Sequence, residues 1–184
     1  MTISRAAGSM TFPAQFMLVA AMNPSPGSGG FGDAERGRAS AQAIRKYLNK
    51  ISGPLLDRID IHIEVPAVKH ETLLRPHAAE TSATIRERVL KARELQIKRF
   101  AGKRKVRCNA QMSSKDLKAF VSLDADSESL LRMALSELSL SARAYDRILK
   151  VSRTIADLAG DAEVNATHLS EAIQYRTLDR QVWG

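Results

Sequence analysis

Three residues stand where their side chains could act on a charged ligand. Asn23 follows a continuous apolar run, Phe16 to Met22, and precedes Pro24. In an open α/β sheet, ligands bind at the carboxyl ends of strands, so an amide placed there can orient a water molecule; an Asn-Pro pair also begins turns with no chemistry attached. Arg58 closes the stretch Ser52-Gly53-Pro54-Leu55-Leu56-Asp57 and leads into Ile59-Asp60. A planar guanidinium held there can stabilise charge on a transferring phosphate, or can simply pair with Asp57 or Asp60. Arg143 lies at the start of a long amphipathic segment, where it either reaches an anion or belongs to a solvated helix face. No Ser/His/Asp or Cys/His pattern accompanies them, and Gly27-Ser28-Gly29-Gly30-Phe31-Gly32 lacks the lysine of a phosphate-cradling loop. The residues visible here make no complete active site.

The elements that must position these side chains fall into two groups. Residues 1–15 carry two short strand-like mixes around Ala6-Ala7-Gly8 and predict a hairpin, about Ile3 to Phe12. The apolar run 16–22 predicts a strand buried on both faces of a parallel sheet, and Ile59-Asp60-Ile61-His62-Ile63-Glu64-Val65 alternates as a second strand. Residues 41–51 have helical spacing, and Pro54 suits the first turn of a short helix from Leu55 to Arg58. Two such strands cannot form a covered parallel sheet, so residues 1–66 read as the second half of a larger unit.

Past Pro66 the pattern turns helical. Residues 67–111 read as a linker followed by a basic helix from about Ser82 to Phe100, ended by Gly102, and residues 112–184 as a helical domain. Its segments are expected at about 114–120, 127–138, 141–159 and 167–176. The third is the best defined: Ala144, Ile148, Val151, Ile155 and Leu158 make one apolar stripe, Arg143, Arg147, Lys150, Thr154 and Asp157 the opposite face, with Ser141 as N-cap and Gly160 just past the end.

Composition bounds the function classes. The 184 residues are 44% hydrophobic and 26% charged, as a folded chain requires, and hold no apolar stretch of membrane-spanning length and no signal peptide. A soluble, cytoplasmic protein without a membrane partner is expected. One cysteine, Cys108, excludes an internal disulfide, and four scattered histidines argue against a structural zinc site. The net charge of +8 resides entirely in residues 86–107, where ten basic side chains face Glu87 and Glu94. Arg86, Lys91 and Arg93 on this helix are candidate contacts for nucleic-acid phosphates, although a solvated face or an interdomain salt-bridge surface accounts for them nearly as well. Nine aromatic residues, widely dispersed, do not form a base-stacking platform.

Several motifs, taken in order, carry a resemblance: Thr2-Ile3-Ser4-Arg5-Ala6, Phe12-Pro13-Ala14, Leu18-Val19-Ala20-Ala21-Met22-Asn23-Pro24, Ile51-Ser52-Gly53-Pro54-Leu55-Leu56-Asp57-Arg58-Ile59-Asp60, and Leu140-Ser141-Ala142-Arg143-Ala144-Tyr145-Asp146-Arg147-Ile148-Leu149-Lys150 with Arg153-Thr154-Ile155-Ala156-Asp157-Leu158. Together they resemble the C-terminal part of the magnesium-chelatase-like AAA+ ATPases of bacteria, over almost the whole chain. The resemblance implies an α/β remnant, the C-terminal part of a P-loop ATPase core with its hairpin and parallel strands, followed by an all-α lid. It implies that the Walker A loop, the Walker B acid and the N-terminal half of the protein lie elsewhere. It assigns Asn23 to sensor 1, Arg58 to an arginine finger acting on a neighbouring subunit, Arg143 to sensor 2, and Arg5 to a hairpin that touches DNA. ATP and Mg²⁺ are then the cofactors of the intact protein, a hexameric ring its assembly, and branch migration of DNA in natural transformation its activity. Many relatives carry a cysteine quartet where this chain has Ser25, Gly27, Gly37 and Ala39, so whatever those cysteines do is lost here.

Two other classes remain open on the sequence: a free-standing helical nucleic-acid-binding or adaptor module without nucleotide chemistry, and a magnesium-insertion chelatase subunit. The first expectation concerns the chain alone. Lacking the phosphate cradle and its lysine, it should neither bind nor hydrolyse ATP appreciably. A phosphate-release assay on the purified chain checks this, and turnover above background that Arg58→Ala abolishes would refute it.

Overall fold

A computed structural model describes residues 1–14, 16–22, 53–65, 79–138 and 140–176. Asn23, the glycine-rich loop, the helical spacing at 41–51 and the substituted positions Ser25, Gly27, Gly37 and Ala39 lie outside the described residues.

The chain opens with the expected hairpin. Strands β1 (Thr2–Arg5) and β2 (Gly8–Thr11) pair antiparallel with Thr2 opposite Thr11 and Arg5 opposite Gly8. Period-two alternation puts the hydroxyls on one face, where Thr2 meets Thr11 at 3.0 Å and Ser4 meets Ser9 at 2.7 Å. Gly8, at φ 140°, takes a conformation open to glycine as the chain leaves the Ala6-Ala7 turn.

The two expected buried strands form no ladder among the described residues. Residues 16–22 have no strand partner among the described residues, and Phe16, Met17 and Val19 are largely exposed. Residues 61–65 are likewise unladdered, with Ile63 and Val65 exposed and His62 buried, the reverse of the expected alternation. A strand acquires its inner face only from neighbours that hydrogen-bond to it and layers that cover it. The second segment instead lies against the helices, where His62 N–H donates to the Tyr175 carbonyl at 2.9 Å. The short helix α1 (Gly53–Leu56) forms two residues earlier than its composition implies.

The helical part follows its sequence closely. It comprises α2 (Ser82–Arg99), a single 3₁₀ turn (Asn109–Gln111), α3 (Ser114–Phe120), α4 (Ala125–Glu137), α5 (Ala142–Ala159) and α6 (Ala166–Gln174). Side-chain caps set most of the starts: Thr81, Ser113, Asp124, Ser141 and Asn165 each accept from a backbone N–H one turn in, and Ser113 and Asn165 complete reciprocal capping boxes with Asp116 and His168. Phe100, rather than Gly102, caps α2. Around α5 the core gathers Phe100, Met112, Leu117, Leu131, Ile148, Leu149, Leu169 and Ala172, with Phe120 edge-on to Phe100 at 5.4 Å.

Helix α5 is buried over more of its circumference than one stripe provides. Ser152, Arg153, Ala156 and Asp157 are buried along with Ala144 and Ile148, while Leu158, at the end of the expected stripe, is 39% exposed. The polar face read as solvated is therefore engaged by neighbouring segments, as described below.

Gly160 ends α5 at φ +84°, and a Cβ there would meet nothing within 4 Å. Gly160→Ala therefore isolates the backbone cost of the left-handed conformation, about 1 kcal/mol. Urea unfolding should show that loss with an unchanged denaturant slope; equal stability would mean that the helix end relaxes to another conformation.

Candidate functional site

The segment that carries Arg58 meets the start of α5, which carries Arg143, at one contact. Arg58 follows α1 in a tight turn, its N–H donating to the Leu55 carbonyl at 3.0 Å, and its side chain is exposed. The residue before it, Asp57, faces the N-terminus of α5. There the Ser141 hydroxyl donates to Asp57 Oδ1 at 2.9 Å while accepting from the Ala144 N–H at 3.2 Å, so the residue that caps α5 also tethers the neighbouring segment. A carboxylate at a helix N-terminus is favoured by the exposed N–H groups and the helix dipole. Arg143 Nη1 stands 3.7 Å from Asp57 Oδ2, but the Arg143 side chain is 66% exposed, so this pair is weak and the guanidinium is accessible to an anion.

Two arginines that sequence reasoning left without a role complete the contact. Arg147, one turn after Arg143 on α5, donates to the Arg58 carbonyl and to Asp60. Arg176, just past α6 and 1% exposed, donates to the Ile59 carbonyl and lies 3.8 Å from Asp57 Oδ1. Arg147 shares a face with Arg143 by its four-residue spacing; nothing local marks Arg176.

A second polar cluster holds the basic helix in place. Asp157 is buried on α5 and accepts from both nitrogens of the Arg99 fork at 2.5 and 2.7 Å, from Asn109 Nδ2 at 2.8 Å and from Arg153 Nε at 3.1 Å. Arg153 reaches on to the carbonyls of Asp161 and Ala162, and Asn109 to Thr154. Burial raises the Asp157 pKa, yet the hydrogen bonds of Arg99 and Asn109 and the charge of Arg153 outweigh it and hold the carboxyl below its ordinary value. Burial likewise pulls Arg153 down from its ordinary value, against the opposing pull of Asp157. Nearby, Lys103 and Ser113 hold the Asp116 carboxyl well below the usual carboxylate range.

These pairings redistribute the basic window. Arg99 and Lys103 are committed to Asp157 and Asp116, and Arg88 forks onto Glu80 at 2.8 and 3.1 Å. Arg86, Lys91 and Arg93 are exposed on α2, as a surface contact needs, and Arg5 is exposed beside the hairpin turn. The groove between α2 and the end of α5 is lined by Glu87 and Glu94 as well as Arg88, Lys91 and Lys98, a mixed surface without one sign of charge. Among the described residues, no three His, Cys, Asp or Glu side chains gather as metal ligands, and no helix is long and apolar enough to cross a membrane.

Comparison with known proteins places this architecture. Residues 79–176 match the family model described as magnesium chelatase, subunit ChlI C-terminal, and residues 1–73 match that of magnesium chelatase, subunit ChlI. The chain belongs to this family. It is 49% identical to the competence protein ComM of Haemophilus influenzae and 40% identical to the uncharacterized protein YifB of Escherichia coli, over 97% of this chain and 34% of each relative. It is also 33% identical to the uncharacterized protein Rv2897c of Mycobacterium tuberculosis, over 95% of the chain. The chain thus spans about a third of the length of the curated relatives it matches.

The Asp157 cluster yields a prediction with a pH signature. Asp157→Asn leaves Arg99 and Arg153 without their counter-charge and should cost about 3–5 kcal/mol at neutral pH. Because the folded carboxyl titrates below its unfolded value of about 4, its contribution is fully present above that pH and fades as pH falls through the lower, folded value. Denaturant unfolding at pH 7 and pH 3 should therefore show the gap between wild type and variant narrowing in acid. A gap that is small at pH 7, or equal at both, would contradict a charged Asp157 at the centre of the cluster.

Proposed function

We propose that this chain supplies the distal part of an AAA+ ATPase core and its helical lid in a ring-forming motor that drives branch migration of DNA. One observation carries the reading. The segments 16–22 and 61–65, composed to be buried in a sheet, leave large apolar side chains exposed (Phe16, Met17, Val19, Ile63, Val65), and the second runs on from an exposed arginine held against the helices. Segments of that composition call for further strands, which a free-standing helical adaptor would not need. The curated relatives, about three times as long, have room for them. The name of the Haemophilus influenzae relative, a competence protein, supports the link to DNA uptake.

In this reading, ATP with its Mg²⁺ supplies the phosphoryl group whose transfer releases the energy. Arg58 and Arg143 present planar donor sets that suit phosphate oxygens. Arg143, exposed at the start of α5, binds phosphate from the lid. Arg58 faces the nucleotide of the next subunit, where it stabilises charge developing as the bond to the γ-phosphoryl group breaks. Asn23 orients the attacking water. Arg5 on the hairpin and Arg86, Lys91 and Arg93 on α2 contact DNA phosphates, which makes binding weaken with salt.

The test uses a chimera in which this chain replaces the matching third of the Haemophilus influenzae relative. Arg58→Ala should lower ATP turnover by about 10³-fold or more, as arginine fingers do in other nucleotide hydrolases, with nucleotide affinity within about tenfold. Mixing it with a chimera whose phosphate-cradle lysine is replaced should restore activity, because intact fingers then face intact cradles at some interfaces. An Arg58 that is merely structural would reduce stability and show no rescue in rings proven to exchange subunits.

A further inference from the structure

We propose that Arg147 and Arg176 are positioning residues for Arg58, fixing its backbone from the helical unit so that movement of the lid moves the finger. This rests on the reading of Arg58 given above. The arrangement differs from an ordinary surface ion pair in what it grips. Arg147 donates to the carbonyl of Arg58 itself and, with the same nitrogen, to Asp60. Arg176, buried, donates to the next carbonyl, that of Ile59. Ser141 holds Asp57 at 2.9 Å on the other side, and the backbone bond from His62 to Tyr175 at 2.9 Å closes the contact. Consecutive residues 57–60 are therefore held by the first turns of α5 and the end of α6.

The grip falls on backbone and on flanking carboxylates, which fixes where the Arg58 side chain originates while leaving that side chain exposed. Backbone carbonyls on adjacent residues point in different directions, so two donors from two helices define the orientation of the peptide between them. The ion pair of Arg147 with the exposed Asp60 by itself adds little to stability. Placement is another matter, since a displacement of about 1 Å at a catalytic group can cost about 10²-fold in rate. Arg143 lies one turn before Arg147 on the same helix, so whatever anion Arg143 engages shifts the helix that carries the grip. Binding at sensor 2 of one subunit and the finger offered to its neighbour are then mechanically one element.

The experiment is done in the same chimera, with Arg147→Ala, Arg147→Lys and Arg58→Ala measured side by side. Arg147→Ala should reduce the maximal ATP turnover by about 10-fold or more while nucleotide affinity stays within about threefold, a split that general destabilisation does not produce. Amides 59–62 should exchange hydrogen faster, with the α5 core unchanged. Arg147→Lys keeps the charge but loses the rigid planar guanidinium that places the donating nitrogen, and should recover turnover only in part. Normal turnover in Arg147→Ala, beside an impaired Arg58→Ala, overturns the positioning role and leaves the finger intact. An unimpaired Arg58→Ala removes both. If Arg147→Ala destabilises the chimera, Asp60→Asn, which removes only the carboxylate partner, decides in its place: lowered turnover with slackened exchange supports the grip, and wild-type values refute it.

Discussion

The helical unit depends on a carboxylate placed where charge is costly. Asp157 sits within the α5 packing, and only the two arginines and the asparagine around it make that position tenable. Each of them arrives from a different stretch of chain: Arg99 from the last turn of the basic helix, Asn109 from the 3₁₀ turn, Arg153 from α5 itself. Satisfying one carboxylate thus sets the angle and register of α2 against α5 and pins the connection between them. The apolar core of Phe100, Met112, Leu117, Ile148 and Leu169 forms beside it, and most of the stabilisation by area comes from there. Hydrophobic contacts alone tolerate sliding; a bidentate fork does not.

The same residue chemistry recurs at the other end of α5 with a different result. There Arg147 and, from the end of α6, Arg176 turn toward a segment that precedes α5 by more than eighty residues, and they grip carbonyls and a surface carboxylate rather than a buried charge. The two ends of one helix accordingly do different things. The C-terminal end locks the basic helix rigidly, while the N-terminal end holds the segment bearing Arg58 through contacts that are individually weak.

Charge counted along the chain overstates the surface available to a polyanion. The window 86–107 holds the whole net charge, yet Arg99 and Lys103 are turned inward to acidic partners and Arg88 is shared with Glu80. The basic side chains that remain exposed lie on α2, in the stretch 104–107 that follows it, and at Arg5 on the hairpin.

Local chemistry made the helices legible from sequence. Ser141 and Gly160 bracket α5 because a hydroxyl satisfies its first amides and glycine tolerates the left-handed turn after its last residue, and both act within one turn of chain. The hairpin was legible for the same reason, its alternation and small-residue turn being local properties. Residues 16–22 and 59–65 have the composition of buried strands yet gain no ladder among the described residues, because burial is conferred by other strands and composition states only what a segment would need. Arg58 and Arg143 stood out through their motifs. Arg147 and Arg176 did not, and the role of Asp157 was hidden in a face that periodicity alone assigns to water. Those partners lie about fifty to a hundred and twenty residues apart, so only the packing of α5 against α2, α6 and the segment at 57–62 brought them together: capping is decided by near neighbours, and the pairing of charges by where the folded helices place them.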